Sequence, residues 1–81
     1  MILPKVGGDK VVLVRADFNT GHILNNDGTL YEGGDTGFYE IYPNKAAANK
    51  AAAELILQNK NLEIILYDGV GVALDVISPP H

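Results

Sequence analysis

Along residues 43–68 the apolar positions first recur at helical spacing and then alternate. Asn44 is placed to accept hydrogen bonds from first-turn amides, and Pro43 before it favours an extended approach. Alanines at 46–48 and 51–53 give high intrinsic helix propensity. At about 100° per residue, Ala48, Ala51, Ala52, Leu55, Ile56 and Asn59 share one broad face. Small residues there predict a close approach of helix to sheet, with Leu55 and Ile56 supplying most of the apolar volume. Leu57 projects away from that face. Asn59, Lys60 and Asn61 end the helix without a glycine, so an Asn in the left-handed conformation is the expected terminator. Leu62, Ile64 and Leu66 then alternate with Glu63, Ile65 and Tyr67, which predicts a strand with one fully apolar face.

The rest of the chain reads as strands and turns around this unit. Residues 10–17 predict the first strand, with Val12, Val14 and Ala16 facing one way and Val11, Leu13, Arg15 and Asp17 the other. Asn26-Asp27-Gly28, flanked by 22–25 and 29–32, is a hairpin cue. Residues 33–37 hold three glycines in five positions and predict a pliable loop, followed by a strand at 38–42. Asp68-Gly69 is a second hairpin cue. After it Val70, Val72, Leu74 and Val76 alternate with Gly71, Ala73, Asp75 and Ile77 in a last strand. Residues 1–9, punctuated by Pro4, Gly7 and Gly8, form a lead-in with a short extended piece at Ile2 and Leu3; residues 78–81, with two prolines, form a loose tail. Strands on both sides of a single helix predict one α+β domain over 1–81. Its expected form is a mainly antiparallel sheet of four to five strands with the helix on one face.

Composition narrows the possible functions. Apolar residues make up 47% of the chain and charged ones 20%, a globular balance rather than that of a disordered acidic tail. Cysteine is absent, which excludes disulfides and thiolate metal sites and points to a reducing, cytoplasmic setting. The start lacks a basic segment before an apolar run, so no secretory signal is expected. Six basic against ten acidic residues give a net charge of −4, and the basic ones are scattered singly. A clustered positive face is needed to bind phosphate backbones, so nucleic acid and anionic membrane surfaces are disfavoured as partners.

Candidate chemistry thins out on inspection. Asp17 and Asn19 follow the alternate spacing of a calcium loop, but Gly21 stands at the fifth, ligating position, His22 where glycine is required and Gly28 where a bidentate acid is. His22 and His81 are the only histidines, and the only serine, Ser78, precedes two prolines. Neither a multi-histidine metal site nor a Ser-His-acid set is expected. Gly69-Val70-Gly71 opens like a dinucleotide fingerprint, yet a strand pattern follows it instead of a helix. Asp27, Glu32, Asp35 and Glu40 read as solvated hairpin charges rather than a carboxylate pair. The chain is expected to be no enzyme and to need no cofactor or metal.

Surface remains. One helix covers one sheet face. Ile65, Tyr67 and Ile77 with Tyr39 or Tyr42 would then form an apolar, aromatic patch on the open face, unless the sheet curls over and buries them. Leu57 adds a single apolar residue on the outer side of the helix. The leading expectation is a small acidic interaction module that self-associates or docks on a protein partner. Two alternatives accompany it. One is a small-ligand-binding domain with 33–37 as a lid over the tyrosines; the other is an acidic inhibitor or immunity-type protein that masks a basic surface.

Overall fold

A computed structural model describes residues 2–34 and 37–79. Among the described residues five strands and one helix follow in the order β1 (Val11–Asp17), β2 (Ile23–Leu24), β3 (Tyr39–Tyr42), α1 (Lys45–Gln58), β4 (Leu62–Tyr67) and β5 (Ala73–Ile77). All strand pairs are antiparallel, and the helix packs on the sheet: an α+β arrangement.

β1 is the hub. One of its edges is shared, with Val11–Val14 opposite β3 and Arg15 and Ala16 opposite Leu24 and Ile23 of β2. The other edge pairs with β4 from Val12↔Tyr67 to Asp17↔Leu62. β4 in turn pairs with β5, with a register shift between Leu66 and Tyr67. Because β3 and β4 both run antiparallel to β1 from opposite sides, they are parallel to each other, and α1 is the crossover between them.

The crossover forms as its residues dictate. Asn44 is extended and its side-chain oxygen accepts the Ala47 N–H at 2.8 Å, capping a first turn that has no acidic residue of its own. Ala48, Ala52 and Ile56 are buried, and they meet Val11, Leu13, Ile64 and Leu66 in the main core, with Tyr42, Ala51, Leu55 and Ile77 packed at its margin. The alternation of β4 buries Leu62, Ile64 and Leu66 as its period requires. Helix termination differs from expectation. Asn59 is extended, not left-handed; its N–H donates to the Leu55 carbonyl and its side-chain oxygen accepts the Asn61 N–H, which turns the chain directly into β4.

Other boundaries shift for local reasons. Around Gly28 (φ 90°) the turn closes with Asn25 N–H donating to the Thr29 carbonyl, but the returning arm makes only a bridge, Leu24↔Leu30. Asn26 draws the chain elsewhere: its N–H donates to the Gly37 carbonyl and its side-chain amide to the Tyr39 carbonyl. The last strand starts at Ala73, because the Asp68 carboxylate accepts the N–H groups of both Val70 and Val72 and holds 68–72 as a turn. Ile2 and Leu3 are outside any strand.

The lead-in touches the turn between β4 and β5 at Val6. Val6 N–H donates to the Gly69 carbonyl at 3.1 Å, and a Cβ at Gly69 would overlap the Val6 carbonyl oxygen, so glycine is required there by close backbone approach. Pro79 is buried and Ser78 Oγ lies 3.3 Å from Glu63 Oε2; the rest of the tail, Pro80 and His81, lies outside the described residues. Gly69→Ala is expected to lower unfolding stability by about 1–3 kcal/mol, since backbone must shift to admit the methyl. Urea denaturation measures this, and a change within error would mean that the lead-in does not hold its place.

Candidate interaction surface

The six candidate interaction residues divide among three places. Tyr42, opposite Val11, and Ile77, opposite Ile64, lie on the helix-covered face against the main core. They are not on the open face; the period-two alternation from their partners puts them on the other side. Tyr39 and Ile65 flank Val14 on the far face, and Tyr67 lies beside Val12 there; all three are half-buried. Leu57 stands apart on the outer helix surface, 76% exposed.

The far face is not bare at its centre. Val12, Val14 and Ala16 are all buried, so β1 is enclosed on both faces. Phe38 is fully buried as well, with its ring 4.8 Å from Tyr31 and 5.1 Å from Tyr39, centroid to centroid. Three of the four tyrosines are thus engaged in ring contacts or the core, and the fourth, Tyr67, is half-buried. Their aromatic surface is largely internal.

Arg15 is the one buried charged residue among those described. It lies on the face of Val11 and Leu13, beyond the helix. Its Nη1 donates to Asn26 Oδ1 at 2.9 Å, and its Nη2 sits 2.6 Å from Glu40 Oε1. The Glu40 oxygen is buried and lacks an aligned hydrogen bond, so this contact is an ion pair made by charge and proximity. With Asn26 also donating to the Tyr39 carbonyl, the group ties β1, β3 and the 25–29 turn together. Its role is structural tethering.

Other polar candidates are occupied by their own backbone. Asp17 accepts the N–H groups of Asn19 and Thr20, forming a turn in place of a calcium loop. Asp27 accepts from both the hydroxyl and the N–H of Thr29, which hold its carboxyl below the usual carboxylate range. Among the described residues no three acidic or histidine side chains converge as metal ligands. No helix among them is long and apolar enough to cross a membrane.

Open cavities indent the surface of the described residues. One of about 490 Å³ lies between the start of α1 and β5, lined by Asp9, Lys10, Lys45, Asp68 and Leu74 among others. A smaller one, about 310 Å³, is lined by His22, Ile23, Leu30 and Tyr31. Neither is lined by Tyr39 or Tyr42, where the lid reading would place a ligand. The lid itself, 33–37, includes residues 35 and 36, which lie outside the described residues; Tyr31 hydroxyl donates to the Gly34 carbonyl at its start.

Exposed apolar side chains also gather at β5 and the turn before it. Val70, Val72, Leu74 and Val76 are exposed by 42–75%, and among the described residues no strand pairs with the outer edge of β5. Ile41 on β3 and Leu30 are also exposed, at the opposite side of the sheet. The alternation of 70–76 was visible in the sequence, but nothing local marked that strand as the end of the sheet. Comparison with protein-family models, with curated proteins and with solved structures finds no match.

Burial and then the Glu40 charge raise the Tyr42 hydroxyl above its ordinary value of 10.0. The folded state therefore holds that proton more tightly than the unfolded chain. The associated stability is complete below about pH 10 and is lost as pH rises through the folded value. Tyr42→Phe is expected to flatten this alkaline decline in thermal melts. An unchanged slope would assign the decline to other groups.

Proposed function

We propose that the chain is a non-enzymatic interaction module whose docking element is the free edge of β5 with the valine and leucine side chains beside it. The observation that carries this reading is the combination of an unpaired strand edge with four exposed apolar residues in seven positions, Val70, Val72, Leu74 and Val76. An edge strand offers a row of backbone N–H and C=O groups to another chain, and natural proteins commonly guard long apolar edges against that. Adding a strand supplies main-chain hydrogen bonds for affinity, and alternate side-chain positions for selectivity.

The broad expectation of a docking surface is kept, and its place moves. The far sheet face supports it less well, since Val12 and Val14 are buried and Tyr42 and Ile77 belong to the opposite face. Asp17, Asp27 and Asp68 accept backbone N–H groups of their own turns, which favours binding over catalysis as the reading.

A panel of short extended peptides, all with alternating valine but with neutral, basic or acidic residues between, would test this on the isotopically labelled protein. Amide shifts should concentrate at 73–78, and Val76→Lys should weaken the response about tenfold or more by placing a charge at an apolar position of the edge strand. If no peptide moves the β5 amides and light scattering finds a monomer over a hundredfold range of concentration, this docking edge is excluded.

A further inference from the structure

Resting on that reading, we infer that Asp75 selects what pairs with β5: it admits a strand that places Lys or Arg opposite it and rejects a second copy of this chain. The Val76 N–H donates to Asp75 Oδ1 at 2.9 Å. In an antiparallel ladder, alternate residues turn their N–H and C=O toward the neighbour or away from it. An amide bonded to the adjacent carboxylate is one that β4 has not taken, so the Val76 N–H belongs to the free edge. The carboxylate closes the edge at the position where an incoming strand would need a donor.

Removing that block requires something that holds the carboxylate elsewhere. A cationic side chain on the incoming strand does so: opposite charges facing across strands attract, and like charges in that position repel. Once Asp75 turns to the cation, the Val76 amide is released as a ladder donor. A second copy cannot supply this. Residues 62–79 carry Glu63, Asp68 and Asp75 and no Lys, Arg or His, so β5 against β5 brings carboxylates together without a counter-charge from either strand. Lys10 and Lys45 line a cavity with Leu74, but Asp9 and Asp68 line it too, which leaves no net positive charge among its lining residues. Net charge of −4 on each chain adds a repulsion of longer range. The occupant that fits is an extended protein segment of alternating apolar and basic residues.

The test is a charge swap followed at the β5 amides. With the wild-type protein, the valine–lysine peptide should bind about tenfold or more tighter than the valine–glutamate peptide, and the neutral peptide should lie between. Asp75→Lys should invert that order. Asp75→Val, with the block removed, should raise self-association about tenfold or more in light scattering, while the wild type stays monomeric. Equal binding of basic and neutral peptides at β5, an order unchanged in Asp75→Lys, or wild-type dimers joined through β5 would each overturn the selectivity and leave the docking edge standing. Absence of any peptide response at β5 would remove both.

Discussion

Everything in this fold depends on β1 having partners on both edges and cover on both faces. Its seven residues accept β3 and β2 along one side and β4 along the other, so those three strands are joined into one sheet through it. Val11 to Val14 are each 2% exposed or less. A strand enclosed in this way satisfies its main-chain groups within the sheet and contributes apolar volume to both sides, which is why it is valine-rich without polar alternation. Arg15 is the exception at its end, and Asn26 and Glu40 neutralise what its burial would otherwise cost.

From that hub the division between interior and surface follows. The helix takes one face because its alanines let it lie close over Val11, Leu13, Ile64 and Leu66. The opposite edge of β4 is left to β5, the outermost strand, exposed along most of its length. A chain of this size has one core to share, and the strand farthest from β1 receives least of it. Its side chains face water not through any oddity of their own but through position in the order.

Features fixed by neighbours in sequence were legible; those fixed by distant pairing were not. The Asn44 cap, the helical face of Ala48, Ala52 and Ile56 and the alternation of Leu62, Ile64 and Leu66 each need only a few adjacent residues to declare themselves. Tyr42 and Ile77 went to the helix side, because their faces are set by pairing with Val11 and Ile64, far along the chain. The same holds for the surface: Leu57 is outward by helical phase alone, whereas the exposure of Leu74 and Val76 follows from strand order. Asp68 hid the true start of β5, since one carboxylate binding two amides is a turn that Asp-Gly signals only in part.

The central position of β1 also bears on how the protein comes to exist. Leu13 pairs with Leu66, fifty-three positions later, and Val12 with Tyr67. On a ribosome, the apolar valine-rich β1 therefore emerges well before β4 and waits, with its β4-facing edge open, until β4 has been made. Such long-range closure slows folding and prolongs the exposure of a strand that other nascent chains can join. Yield in the cell is then set by how well this waiting segment is shielded as well as by the stability of the finished fold.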